Sequence, residues 1–294
     1  MHRYLRAVGF SSVQKKEDVD ELIRFTSECY QTEETAVTAE GEEFSERRKA
    51  FAEQMGLLVR GVYNENDEYQ PEYCIPYFTG KTERFYEDMA IERHAEKESY
   101  AGVCDDMNLG VSLIFYLQNV TEYLNRRRYG RMENVSASLI LSGLSVEGKI
   151  LMPVYQKMPV VSEIKSSQER SRMIQAARDG DEEAIENLTL EDMDTYSMIS
   201  RRIEEEDVFS IVTTHFMPCG VECDHYNVMG EILNVDLREN NKTHEKIYVM
   251  TIESNGIILD VCINQQDLMG EPAPGRRFRG IIWLQGVVNF QEKW

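Results

Sequence analysis

The sequence predicts an α+β protein: an N-terminal, mostly antiparallel sheet with helices, a helical middle segment, and a small C-terminal β-barrel of the oligonucleotide/oligosaccharide-binding-like (OB-like) kind. Three observations predict it. Apolar residues recur every three or four positions near the N-terminus and again after Pro159. Between Gly56 and Tyr155 they alternate or form short blocks separated by turn formers, and from Tyr226 to Phe290 they alternate with period two. A chain of 294 residues can fill two cores. The expected division is an α+β domain over 1–215, including the helical segment 160–206, and an OB-like domain over 216–294.

From Glu17 to Tyr30, Val19, Leu22, Ile23, Thr26, Cys29 and Tyr30 share one side at helical spacing and predict an amphipathic helix. Gln31 to Glu43 is polar and acidic, reading as an exposed loop before a short helix at Phe44 to Gln54. Strands are expected at Leu57–Tyr63, Tyr73–Phe78, Phe85–Arg93, Val111–Gln118, Val135–Leu144 and Ile150–Tyr155. Asn64 to Asp67 and Ser145 to Gly148 have hairpin chemistry, because Asn, Asp and Gly tolerate the dihedrals a tight turn needs. Helices follow at Ser162–Arg178 and, after the break at Asp179-Gly180, as a pair over Asp181–Glu206. There Thr189 with Asp192 resembles a helix start, and Met193, Tyr196, Ile199 and Ile203 are spaced to pack on the sheet.

The C-terminal stretch is the most explicit. Val228, Gly230 and Ile232 share one phase and Leu233, Val235 and Leu237 the other, which implies a bulge near Ile232 that bends the strand. Lys246 to Ile252, a turn at Ser254-Asn255-Gly256, and Ile257, Leu259, Val261 and Ile263 come next. Phe278, Ile282, Leu284 and Val288 then point inward with Gly280 and Gly286 beside them, where a barrel wall curves. Asn264 to Gly275 contains Pro272 and Pro274, so the helix usual between the third and fourth OB strands has room for one turn at most.

Composition excludes several classes. With 32 Lys and Arg against 52 Asp and Glu the net charge is -20, which repels phosphate backbones and anionic membranes. The acidity is mostly N-terminal: 7 basic against 11 acidic residues from Gly220 onward, 25 against 41 before it. No apolar run approaches the roughly 20 residues of a membrane helix, and the first residues carry no leader pattern, so a cytoplasmic protein is expected. In that reducing setting the six cysteines are expected to be free thiols.

Candidate chemistry is sparse. His215, Cys219, Cys223 and His225 offer zinc-type ligands, but the Cys-x3-Cys spacing is not a finger spacing and a site so compact is strained, so no metal is expected. Gly80-Lys81-Thr82 ends like a phosphate loop, yet Ile75 stands where that loop requires glycine. Asp105-Asp106 and the Glu204 to Asp207 run are adjacent acids that point apart and read as solvated charge. Arg126, Arg127, Arg128 and Arg131 read as the basic end of a helix. No cofactor fingerprint is present.

The binding candidates are Arg276, Arg277, Arg279, Trp283 and Gln285. Alternation puts Arg279, Ile281, Trp283 and Gln285 on the face opposite the inward set, an arrangement that on an OB-like barrel stacks bases and holds a backbone. The same face can pack against protein instead. A bare Trp283 beside Ile281 makes an apolar patch, so the expectation is that the N-terminal part or a second copy covers it.

Three segments, Met1 to Phe10, Leu188 to Tyr196 and Gly275 to Gly286, resemble a family known only as a domain of unknown function from Gram-positive anaerobic bacteria, and the resemblance spans essentially the whole chain. It implies a bacterial cytosolic protein and brings no catalytic residue or ligand. The function expected is a non-enzymatic binding or interaction protein using the barrel, its partner another macromolecule or itself, with nucleic acid disfavoured and no membrane. The alternative is an enzyme of unrecognised type with a site between the domains.

Overall fold

The computed structural model describes residues 3–38, 41–86, 89–93, 99–106, 111–128, 137–153, 172–190, 193 and 212–290. These are mostly β, arranged as a four-stranded antiparallel sheet and a large mixed sheet. Among them no helix is long and apolar enough to cross a membrane.

A 3-10 helix, Arg3–Val8, and helix α1, Lys16–Glu28, precede the small sheet of β1 (Thr32–Val37), β2 (Glu43–Ala52), β3 (Met55–Tyr63) and β4 (Tyr69–Phe78) in sequential order. The expected loop at Gln31 to Glu43 and helix at Phe44 to Gln54 are therefore corrected to strands. The run Glu46-Arg47-Arg48-Lys49 suits a helix surface, but here each of the first three charges has a partner in strand geometry. Glu46 meets Arg60, Arg47 meets Glu33, and Arg48 donates to the Gln118 carbonyl. Gln54 closes the β2–β3 turn with φ of 58°. The expected Asn64 hairpin is present, its side-chain oxygen accepting from the N–H groups of Asn66 and Glu68.

The large sheet takes strands from both ends of the chain. Its path is β10 (His215–Pro218), β11 (His225–Glu239), β12 (Lys246–Ser254), β13 (Ile257–Asn264), β9 (Ala137–Leu151), β15 (Arg277–Phe290), β8 (Val111–Leu117), β7 (Tyr100–Asp106) and β6 (Met89–Arg93). Two further strands, β5 (Glu83–Tyr86) and β14 (Leu268–Met269), pair with β9. The boundary expected at 215/216 is thus crossed by one sheet: β13 pairs parallel and β15 antiparallel with β9, and β15 also pairs with β8.

β9 is one strand, not the hairpin expected at Ser145 to Gly148. The Ser145 hydroxyl donates to the Glu147 carbonyl within the strand and to the Ile281 carbonyl of β15. Gly148 is required for space rather than for a turn, since a Cβ there would lie 2.5 Å from the Phe278 ring. Because β15 also pairs with β11, the pairings run in a circuit: β11, β12, β13, β9, β15 and back to β11. β11 serves its two neighbours in the circuit by bending. Its first half pairs with β15 and its second with β12, and the register shifts between Ile232 and Asn234, where the alternation predicts a bulge. Asn255 and Gly256, both at positive φ, form the tight β12–β13 turn.

Val228, Ile252, Leu259, Phe278, Ile282 and Leu284 are buried together inside this circuit. On its outside, Ile247, Val249, Cys262, Leu144 and Trp283 pack against Tyr4 and Leu5 of the 3-10 helix, Phe10 just after it, and Phe51 and Phe78 of the small sheet. The 3-10 helix lies where β4, β9 and β13 meet it, a wedge between the layers. Helix α1 packs on β2, β3 and β4, burying Leu22 in this same layer and setting Phe25 against Phe51.

Helix α2, Val120–Arg128, carries Arg126 to Arg128 in its last turn as expected. Residues 172–178 and 182–190 are helical. Thr189 is not a helix start, since its hydroxyl bonds the Ile185 carbonyl one turn back. Arg131, Tyr196, Ile199, Ile203 and the Glu204 to Asp207 run lie outside the described residues, and Met193 is exposed.

Candidate functional site

Strand β15 carries four of the five sequence-derived candidates, with Arg276 just before it, and the structure sends them to different places. Gln285 is fully buried: its carbonyl accepts from the Phe78 N–H (3.3 Å) and Gln118 Nε2 (2.8 Å), and its amide donates to the Pro76 carbonyl (2.9 Å). Arg277 is buried too, donating to the carbonyls of Met152 and Val212, each at 3.1 Å, and desolvation lowers its pKa. Arg276 donates to the Glu271 carbonyl and stays at the surface. Arg279, half-buried, lines a groove of about 620 Å³ with Glu147, Lys149, Asn227, Gln266 and Met269.

Trp283 is 4% exposed. Its ring lies 5.4 Å from Tyr4 and 5.1 Å from Tyr116, and its Nε1–H donates to Asp224 Oδ2 at 2.7 Å. The indole is therefore covered by the N-terminal 3-10 helix and β8, the packing expected from the solubility of the surface.

A second groove, about 730 Å³, opens beside it and includes Arg3, Tyr4, Glu222, Asp224 and His225. Ile281 lines both grooves and forms the ridge between them. Asp224 sits on the loop entering β11, fixed by its carbonyl accepting from the Leu284 N–H. Burial alone would raise its pKa, but hydrogen bonds from His225 and Trp283 outweigh that and hold the carboxyl below its ordinary value. His225 Nδ1 faces two carboxylates, Asp224 Oδ1 at 2.9 Å and Glu222 Oε2 at 3.1 Å. Burial pushes the Tyr4 phenol and the Cys219 thiol up, which for the cysteine is opposite to what a nucleophile needs.

The residues suspected of zinc chemistry are not gathered as a set. His215 Nε2 is 3.0 Å from Asn227 Oδ1, and among the described residues the ligand atoms that converge are those of Glu222, Asp224 and His225. Asp105 pairs with Ser112 while Asp106 is buried against Arg84 and Tyr86, so those two acids do not converge. Lys81 uses its backbone N–H on Asp260, as part of the layer contact. Tyr4 and Asp224 escape sequence reasoning because neither belongs to a motif; only Asp224's place inside the His215 to His225 cluster marked its surroundings.

A family model described as a domain of unknown function, E. rectale gene description (DUF3881), matches residues 5–286. No curated protein and no solved structure matches the chain.

Proposed function

The chain belongs to the DUF3881 family, and on that premise we propose that it is a non-enzymatic, cytoplasmic interaction protein built on an OB-like barrel that engages its own N-terminal layer. In this reading β11, β12 and β13 are the first three barrel strands, β15 the fourth, and β9, supplied by the N-terminal half, the fifth. The parallel β13–β9 pair between otherwise antiparallel neighbours and the bent first strand support it.

One observation carries the functional part. OB-folds bind oligonucleotides and oligosaccharides on the face of strands two and three, and here that face, through Ile247, Val249 and Cys262, is buried under the 3-10 helix and the small sheet. With Trp283 and Gln285 buried in the same layer, the stacking surface a single strand needs is taken up internally. What is left for a partner is the groove around Arg279 and Lys149, which combines two cations with the exposed Met269. A surface mixing apolar groups with charges of both signs fits a protein partner better than a phosphate backbone.

The test is affinity capture with the full chain and with Arg279→Glu, Lys149→Glu, both folded by circular dichroism. A protein captured by the wild type and lost by the double variant supports the reading. Salt-sensitive oligonucleotide binding, or capture indifferent to both substitutions, refutes it.

A further inference from the structure

We propose that Glu222, Asp224 and His225 bind one divalent transition-metal ion at the mouth of the second groove. The same stretch draws attention in the sequence for its thiols and imidazoles, and the reasons for expecting no zinc there, the non-finger Cys-x3-Cys spacing and the strain of so compact a site, concern the set His215, Cys219, Cys223 and His225. The structure brings a different donor set together. The ligand atoms of the three residues all lie within 4.8 Å of one another, with His225 Nδ1 2.9 Å from one carboxylate oxygen and 3.1 Å from the other. An ion roughly 2.0–2.2 Å from nitrogen and oxygen donors holds neighbouring donors about 3 Å apart, so it seats here by replacing the shared proton.

Two features separate this cluster from ordinary surface acids. Asp224 is only 8% exposed, and its second oxygen is held from outside the cluster by the Trp283 indole, the kind of outer contact that orients a metal-binding carboxylate. The loop itself is fixed by backbone bonds, His225 N–H to the Glu222 carbonyl, Cys219 N–H to the His225 carbonyl and Leu284 N–H to the Asp224 carbonyl. The Glu222 side chain is 71% exposed and faces the open groove, so three protein donors leave positions for water or a ligand. One imidazole with two carboxylates suits zinc, manganese or iron(II) better than a soft ion, and better than calcium or magnesium, which favour all-oxygen sites.

Chelator-treated full-length protein, titrated calorimetrically with Zn²⁺ and followed by absorption with Co²⁺, tests this. The expected result is one ion per chain and a rise in Tm with metal. Both are lost in Glu222→Gln and in His225→Gln, whose side chains lie at the groove mouth, and both persist in the Cys219→Ser, Cys223→Ser double variant. Trp283→Phe keeps a ring in the layer but removes the N–H, and should weaken affinity about 10–100-fold. No uptake by the wild type, uptake that survives His225→Gln, or uptake abolished by the cysteine changes overturns the proposal.

Discussion

The inside of the five-strand circuit and the layer between it and the small sheet are both buried, yet they are made from different materials. Inside, Val228, Ile252, Leu259, Phe278, Ile282 and Leu284 meet as aliphatic and aromatic surface. In the layer, the aromatic centre of Tyr4, Phe10, Phe78 and Trp283 is flanked by buried polar groups. Arg60 pairs with Glu46 at 2.6 Å and bonds Tyr116, while Glu46 also accepts from the N–H and hydroxyl of Thr121. Gln118 and Gln285 bond each other and the β4 backbone. Apolar packing drives burial without regard to direction, whereas hydrogen-bonded groups must meet in one arrangement. The difference teaches that the circuit is filled by hydrophobicity, while the pose of the small sheet on it is set by directional bonds.

Removing one partner of the ion pair should break the comparison most sharply. Arg60→Leu leaves Glu46 charged and buried and is expected to destabilise by about 3–5 kcal/mol, with much of it regained in the Arg60→Leu, Glu46→Leu double variant. Urea unfolding of both checks it; a double variant as unstable as the single shows that the network is needed for more than charge balance. Within the circuit, Leu284→Ala should cost about 2–5 kcal/mol through lost contacts and a cavity, with no rescue by any polar change. Gln285→Leu tests the directional side at lower amplitude. It keeps volume but strands the Phe78 N–H and Pro76 carbonyl, so about 1–3 kcal/mol is expected, together with faster hydrogen exchange at Phe78. A neutral result would mean that shape alone seats the layer.

The smallest effect is expected at the rim. Glu33 on β1 accepts from Arg47, Tyr63 and Ser45, and although burial opposes ionisation, these bonds bring its pKa down from 4.5 to about 2. Arg47 is itself clasped by the rings of Tyr30 and Tyr69 at 4.7 and 3.9 Å. A carboxyl whose folded pKa is depressed contributes stability fully present above its unfolded value and lost as pH falls toward the folded one. Tm should therefore fall between pH 4.5 and about 2, and Glu33→Gln should flatten that slope. An unchanged acid limb in the variant assigns the slope to other carboxylates.

Much of the circuit was legible because its signals are local. The period-two run of β15, the bulge at Ile232, the Asn255-Gly256 turn, helix α1 and the burial of Trp283 follow from neighbouring residues and from the cost of exposing apolar surface. The site was less so. Of the five candidates, sequence alternation placed Arg279, Trp283 and Gln285 on the outer face, but it could not say that the outer face divides into a covered half and an open groove.

What only the tertiary structure decided lies where a residue's environment comes from far along the chain. Ser145 to Gly148 has the composition of a turn and is part of one strand, with a register shift against β15, because β15 and β13, more than a hundred residues away, supply its ladder and the Phe278 ring occupies the space a side chain at Gly148 would need. Glu46 to Lys49 has the composition of a helix and is a strand, because Arg60, Glu33 and the α2 segment provide the opposite charges and acceptors. The sequence by itself determined which residues alternate, bend and turn. Strand pairing and buried polar bonds join positions that no local window contains, so the pairing of β9 with β13 and β15, and the gathering of Tyr4, Asp224, His225 and Trp283 at one groove, belonged to the fold.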